Sequence, residues 1–451
     1  MRKKGRLYLV LFIIALLGLI FYWILTSELF ERQKPSIQIA SKLYWNLRKP
    51  IDIKISDNSG IKSYTVTMDD GKNREVLEQR TFENPPKEVQ LSLERPMKLE
   101  FPRNRAILHI EVQDKSLWHY FLGNRSVKDI KIIIDTKRPE LYLVNNSYSI
   151  TKGGSALVVF HCNDDNLKEF YVQTNFGKRF YAQPFYEEGY YAALIAWPVT
   201  QKRFRATLVA YDKAGNRSKV HVPLYLLNKK YRVSKITLKK NFLEGKVALL
   251  AEDYPETAKM DPLEKFKFVN ETLRERNEQL IHKLTSKVPK EMFDSFSIKP
   301  FYPLKNGARV ASFGDHRYYY YHGKLVSESY HLGLDLASTR AAPIKASNPG
   351  DVVFADYNGI YGNMPLISHG LGLYTLYGHC STLFVKKGDQ VERGETIAKT
   401  GNTGLALGDH LHFGVLVQGV EVRPKEWMDK KWIKDNIIDV LKEAKKIINS
   451  K

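Results

Sequence analysis

From Leu7 to Leu25 the chain reads LYLVLFIIALLGLIFYWIL, 19 residues without a charge. As a helix this run is about 28 Å long, close to the ~30 Å hydrocarbon core of a bilayer. Arg2, Lys3, Lys4 and Arg6 precede it, whereas Glu28 and Glu31 follow it. That asymmetry predicts a cytoplasmic N-terminus and an exported body. Tyr22 and Trp23 suit the far interface, and Thr26-Ser27-Glu28-Leu29 is a poor cleavage site. Residues 7–26 therefore read as an uncleaved, single-pass anchor in the inner (cytoplasmic) membrane, with the body in the periplasm or outside. The formal net charge is +21. An exported body sets nucleic acid aside as the partner of that charge, and an anionic envelope polymer becomes the leading one.

The 451 residues are enough for two to four domains at roughly 100–200 residues each. Charged residues make up 26% and hydrophobic ones 43%, which excludes a disordered or multispanning chain. Cys162 and Cys380, the chain's 2 cysteines, exclude a disulfide framework and a Cys-rich zinc module. Residues 37–228 carry a weak internal repeat. Asp57-Asn58-Ser59 resembles Asp165-Asn166-Leu167, and Gly123-Asn124-Arg125-Ser126 recurs as Gly215-Asn216-Arg217-Ser218. Short β-prone runs such as Ala106–Val112 and Ala206–Tyr211, with turn residues between them, predict two Ig-like β-sandwich modules, 37–135 and 138–228. Asp135–Pro139 is the expected hinge. Asp114, Asp164, Asp165 and Asp212 raise the question of calcium. They read as turn residues with local hydrogen bonds, because no dense oxygen-ligand loop is present.

Residues 229–300 read as a linker with a helix over 262–284, which Asp261 would cap ahead of Pro262. In residues 429–451, Ile433, Ile437, Leu441, Ala444 and Ile448 form one apolar stripe, the mark of an amphipathic helix docked on the protein.

Residues 301–428 are different in kind. They carry 12 Lys and Arg against 11 Asp and Glu, and seven of the 12 histidines lie between His316 and His412. His331-Leu-Gly-Leu-Asp335 and His410-Leu-His412 have strand spacing, since residues i, i+2 and i+4 share one face of a strand. His331 and Asp335 would then point one way and Leu332, Leu334 and Leu336 the other. Adjacent strands could bring two imidazoles and a carboxylate to one point, a donor set that suits zinc and leaves a fourth tetrahedral position open. On this reading His331, Asp335 and His412 are the metal ligands, while His379 and His410 stay unbound to handle protons. A lone His-x-x-x-Asp or His-x-His arises often by chance. Both together, with Tyr377-Gly378-His379 between them, point to a metal site. His316, His322 and His369 have no such partners and read as surface or core histidines, and Cys380 reads as packing.

The pattern formed by Phe313-Gly314 with Arg317, His331-x-x-x-Asp335, Ile367-Ser-His-Gly370, Thr375-Leu-Tyr-Gly-His379, Gly401-Asn-Thr-Gly404 and His410-Leu-His412-Phe413 resembles the lysostaphin/LytM-type zinc endopeptidases of bacterial cell walls. The resemblance covers residues 301–428. It implies an antiparallel β fold, zinc held by His331, Asp335 and His412, catalytic histidines at 379 and 410, and hydrolysis of peptide bonds in peptidoglycan. It leaves open which of Tyr318 to Tyr321 or Tyr330 is the tyrosine sometimes assigned to transition-state stabilisation. The expected whole is a mainly β, membrane-anchored zinc endopeptidase that cuts peptide crosslinks between D-Ala and a diamino acid. Two alternatives stand beside it: a carboxypeptidase acting on stem peptides, and a noncatalytic wall-binding scaffold or activator of another hydrolase. A regulatory protein partner is a further expectation, and helix 262–284 reads as a packed linker ahead of the alternative, a lid over the groove.

Overall fold

The structure, a computed structural model, describes residues 2–450. It divides into two compact units: residues 1–139 with 165–168 and 211–217, and the remainder of the chain. The first unit begins with the helix Arg2–Thr26, whose segment Gly5–Thr26 is long and apolar enough to cross a membrane and contains no buried residue. At about 1.5 Å per residue it exceeds the thickness of a hydrocarbon core.

Residues 36–134 form two facing sheets. Ser36–Gln38, Ile51–Ser56 and Glu88–Leu93 are antiparallel in one. The other runs in the order Lys42–Trp45, Arg125–Ile134, Arg105–Asp114, Ile61–Asp69 and Arg74–Thr81. Alternation along these strands puts Ile53, Ile55, Val66, Met68, Leu108 and Ile110 into one shared core, each at most 2% exposed.

Residues 140–228 again build two four-stranded sheets, one centred on Tyr190–Ala196 and Ser155–Asn163, the other on Leu167–Thr174 and Ala206–Asp212. Phe160, Cys162 and Leu194 are buried in this module, so Cys162 takes the core place its alternation predicts. The C-terminal helical run, Lys430 to Asn449, docks here with Ile437, Leu441, Ala444 and Ile448 buried. Asn145 Nδ2 donates to the Val440 carbonyl at 2.9 Å and Ser147 Oγ to the Asn436 carbonyl at 2.8 Å.

Residues 229–300 are more than a linker. Val233–Thr237 is a strand, paired parallel to Asp315–Tyr321, which in turn pairs with Lys324–His331. The expected helix runs from Pro262 to Thr285 with one wide turn over Phe268–Leu273. Asp261 and Glu264 form a reciprocal capping box at its start. Phe266, Val269, Leu273 and Ile281 are buried in one cluster with Met364, Leu366, Leu376 and Leu416. At about 1.5–3 kcal/mol for each such side chain, this face holds the segment against the sheet that follows.

That sheet has the order Ala308–Ala311, Leu334–Ala337, Leu411–Val417, Leu373–Gly378, Asn363–Ser368, Gly350–Tyr357 and Gln390–Val391, with Val420–Val422 also paired to Leu411–Val417. The pairs are antiparallel throughout. Its neighbours in the same compact unit are sutured to it. Gln418 Nε2 donates to the Tyr181 and Leu194 carbonyls, and Gln418 Oε1 accepts from the Tyr181 N–H. Trp427 Nε1 reaches Ser155 Oγ at 3.1 Å.

Candidate metal centre

Register places the candidate ligands. Asp335 lies directly opposite His412, and Gly378 is opposite His412 on the other side. The central strand is thus flanked by one that carries Asp335 and one that ends at His379. His331 arrives differently from the single-strand expectation. It closes the strand Lys324–His331, and Leu332-Gly333 break the chain before Leu334–Ala337. Leu332 is consequently half-buried, while Leu334 and Leu336 are buried as expected.

His331 Nε2 lies 3.0 Å from Asp335 Oδ1 and 3.2 Å from His412 Nδ1, and His412 Nδ1 lies 2.8 Å from the same carboxylate oxygen. Three donors bound at about 2.0–2.1 Å to a tetrahedral ion lie about 3.3 Å apart, so the spacing fits one small cation. The proton inventory points the same way. His331 Nδ1 is 2.9 Å from the Ser312 carbonyl, which can only accept, so in the neutral ring Nε2 is a bare lone pair. A bare nitrogen facing a carboxylate oxygen and a second imidazole nitrogen is repulsive until a cation stands between them.

Burial pushes the Asp335 carboxyl up, and the two facing imidazoles pull it back further, so it stays ionised well below the usual carboxylate range. Burial, with a smaller opposing pull from Asp335, lowers His412. Gly333 makes the close approach feasible, since a Cβ there would stand 2.4 Å from His412 Cε1 and Nε2.

The two remaining histidines stand beside this set. The His379 ring centroid is 4.8 Å from that of His410 and 5.7 Å from that of His412, and His410 Nε2 is 3.7 Å from Asp335 Oδ2. His379 Nδ1 donates to the Thr403 carbonyl at 2.9 Å and His410 Nδ1 to the Gly408 carbonyl at 2.8 Å. Each ring is held in the tautomer that leaves Nε2 unprotonated. Burial first, then the neighbouring His412 and His410, lower His379 to about 3 and keep it neutral. Its backbone is left-handed, at φ 67°, and its N–H is anchored to the Tyr361 carbonyl at 2.8 Å. Such a conformation in a non-glycine residue costs of order 1–3 kcal/mol and is typical of functional positions.

The other histidines stay out of the cluster. His369 bridges the Pro349 carbonyl and Thr375 Oγ1, and burial lowers it to about 4. His316 stacks on Tyr330 and meets Glu328 at 3.1 Å, and His322 sits at a turn with φ 47°. Cys380 is buried, and its thiol, pushed up to about 12, donates to the Tyr377 carbonyl. Tyr361, which sequence reasoning passed over, has its ring 5.6 Å from that of His412. The backbone beside it is fixed by Asn277 Oδ1, which accepts from the Ile360 N–H at 2.9 Å. A tyrosine in a Gly-rich turn and an asparagine on a helix 84 residues earlier carry no spacing signal that links them. Among the described residues, the polar contacts of helix 262–285 beyond itself run to Glu256, Ser327, Glu328, Asn358, Ile360 and Glu421, and none reaches the five site residues. The helix forms a wall of the domain.

Residues 329–424 match the model of the family described as Peptidase family M23. Over 118 residues the chain is 37% identical to the peptidoglycan DD-endopeptidase ShyA of Vibrio cholerae serotype O1, a match that covers 26% of this chain and 27% of that protein. Over 94 residues it is 38% identical to the DD-carboxypeptidase/endopeptidase Mpg of Neisseria meningitidis serogroup B, which covers 21% of this chain and 22% of that protein. The matched part thus spans about a quarter of the length of these curated relatives. Among solved structures, the catalytic domain of the antimicrobial peptidase lysostaphin from Staphylococcus simulans aligns at 27% identity over 27% of this chain and 92% of that chain, with a TM-score of 0.23. The C-terminal part of this chain is an M23 peptidase domain.

Proposed function

We infer that the chain is a membrane-anchored zinc endopeptidase that hydrolyses peptide crosslinks of peptidoglycan, at the bond between D-Ala and a diamino acid. The observation that carries this reading is the convergence of His331 Nε2, Asp335 Oδ1 and His412 Nδ1 within 2.8–3.2 Å, beside two histidines that take no part in it. One hard carboxylate oxygen and two imidazole nitrogens form a donor set for zinc with an open position. Zinc held there supplies Lewis acidity towards the scissile carbonyl and acidifies a water.

The chain's own residues do the rest. In their neutral forms His379 and His410 each offer Nε2 as an acceptor, so either can take the proton of the attacking water, and the imidazolium so formed can steady the oxyanion and return that same proton to the leaving amine. The backbone carbonyls of Thr403 and Gly408 hold the ring tautomers through each transfer. The apolar helix Gly5–Thr26 supports an anchor in the cytoplasmic membrane, with the peptidase on the far side, where the polymer lies. A carboxypeptidase activity on stem peptides is a second reading, favoured by the name of the Neisseria relative.

Digestion of purified sacculi, followed by mass spectrometry of the muropeptides, tests this reading. Conversion of crosslinked dimers to monomers with wild-type protein, lost in Asp335→Ala together with bound zinc, is the expected result. Shortened stems with dimers intact would favour the carboxypeptidase. Full zinc occupancy without cleavage of any wall would overturn catalysis and leave a binding module.

A further inference from the structure

In the first β module, three carboxylates from distant segments meet. Glu31 follows the apolar helix, Asp57 follows the strand Ile51–Ser56, and Asp114 ends the strand Arg105–Asp114. One oxygen of each lies within 4.8 Å of the other two. Asp57 and Asp114 are buried, at 8% and 0% exposure. Among the described residues, no Lys, Arg or His side chain forms an ion pair with any of them.

The oxygens divide their labour. Asp57 Oδ1 accepts from the Ser59 and Gly60 N–H groups and from Ser59 Oγ, and Asp114 Oδ1 accepts from the Ser116 and Asn124 N–H groups. Glu31 Oε2 accepts from the Gln33 N–H and Asn58 Nδ2. Each carboxylate thus spends one oxygen on shaping a loop and keeps the other for the cluster. Asp57 Oδ2 is buried with no hydrogen-bond partner.

The second observation comes from a neutral side chain. Asn124, 1% exposed, places its amide among these groups: Nδ2 lies 2.7 Å from Asp114 Oδ2, 3.0 Å from Glu31 Oε1 and 3.0 Å from the Glu31 carbonyl. An NH2 group has two hydrogens for these three acceptors. Its own Oδ1 is buried and unpartnered. A buried amide oxygen left without a partner costs about 1–3 kcal/mol, and rotation of that amide would turn the oxygen onto the cluster. Glu31 O, Glu31 Oε1, Asp57 Oδ2, Asp114 Oδ2 and Asn124 Oδ1 then form an all-oxygen set of carboxylates, one backbone carbonyl and one amide. That is the donor chemistry of calcium, whose bonds of about 2.4 Å span about 4.8 Å across the ion. Magnesium demands a tighter, near-octahedral set and keeps most of its waters.

We propose that Glu31, Asp57, Asp114 and Asn124 bind a calcium ion that clamps the segment leaving the apolar helix onto the first β module. The amide device recurs where the internal repeat predicts it. Asn216 Nδ2 lies 2.8 Å from both the Asp135 carbonyl and Asp212 Oδ2, and Asn216 Oδ1 is likewise buried and unpartnered. The sequence raises calcium at Asp114 but reads that residue as part of a turn, because the donors come from separate segments and no single loop carries them.

Full-length protein in detergent, freed of divalent ions and reloaded with zinc, is digested with trypsin across a calcium series. The exposed Arg32 is the reporter, and cleavage after Arg203 in the same digest is the internal reference. With a dissociation constant on the order of 10⁻⁴ M, as for extracellular calcium modules, 2 mM calcium should slow the Arg32 cut about 20-fold relative to Arg203. Asp57→Asn, which keeps the loop-shaping oxygen, should abolish that protection while the calcium-free rate stays at the wild-type value. Asn124→Asp, which adds a carboxylate, should give protection at lower calcium and covers the case in which Asp57→Asn misfolds. The proposal is overturned if calcium up to about 10 mM leaves the Arg32 rate unchanged, if magnesium protects equally, or if Asn124→Asp leaves the calcium dependence unmoved.

Discussion

Replacing Gly333 by alanine tests the metal centre without touching a ligand. The φ angle at Gly333 lies outside the left-handed region, so the backbone accepts a side chain without strain. The penalty lies wholly in the ring of His412, because the new methyl group would stand 2.4 Å from Cε1 and Nε2. Carbon contacts settle near ~3.5 Å, so the ring must retreat by about 1 Å. It cannot do so freely. His412 is 7% exposed and its Nδ1 is held 2.8 Å from Asp335 Oδ1. A displacement of ~1 Å at a catalytic group costs about 100-fold in rate, and disturbing the support of a zinc ligand costs about 10–100-fold in affinity. Overpacking a buried site costs about 1–3 kcal/mol of stability, which a chain of this size tolerates. The assay is zinc competition with a chromogenic chelator, run beside muropeptide-dimer cleavage at saturating zinc. Expected are zinc affinity lower by at least about tenfold and kcat/KM lower by about 100-fold, in protein that still melts cooperatively. A Gly333→Ala protein with wild-type affinity and rate would refute the placement of the His412 ring, and with it the three-donor convergence.

Further expectations follow from the same geometry. His379→Ala should keep zinc yet lose about 10²–10⁴-fold in cleavage rate, as measured by metal analysis and product release, because its Nε2 lies outside the ligand set. Dialysis against a strong chelator should abolish cleavage, and zinc should restore it, with dimer hydrolysis as the readout. Gln418→Ala removes three hydrogen bonds to Tyr181 and Leu194, one buried and two part-buried, and should cost about 2–3 kcal/mol in urea unfolding. Burial raises the Glu426 carboxyl from its ordinary 4.5 to about 7, against the opposing pull of the Ser155 N–H and Arg423. The folded state therefore holds this proton more tightly than the unfolded chain. Its neutral form is stabilising below pH 4.5, stability falls as pH rises from about 4.5 to 7, and the curve is flat above, for a total of about 3 kcal/mol. Denaturation of Glu426→Gln across that range should lack this decline, and an unchanged slope would remove Glu426 as its source.

The parts legible in the sequence are those whose signal is local. The charge-free run at 7–25, the Asp261-Pro262 cap and the stripe through Ile437, Leu441, Ala444 and Ile448 each announce a helix within a few turns, and helices stand at all three. His410-Leu-His412 is legible for the same reason, since strand alternation alone sets both rings on one face. Long-range features left no trace. Val233–Thr237 alternates with exposed Lys and Thr on an edge, so nothing in it names the partner strand Asp315–Tyr321. His331 and Asp335 look like neighbours on one strand, yet Leu332-Gly333 break it, because Gly333 has to let the His412 ring in. Gln418, Glu426 and Trp427, which suture the sheet to residues 155–194, carry no spacing signal in the sequence, and only packing reveals their partners.

The parallel ladder between Val233–Thr237 and Asp315–Tyr321 has a mechanical side. The hairpin that carries His331 at its end is gripped along its outer edge by the stretch through which the peptidase joins everything upstream. Tension applied to the backbone at Val233 would load those rungs in shear, the direction in which strand pairs resist most, before it reached the imidazole. Force on that backbone would therefore have to break the edge strand's pairing before it displaced His331.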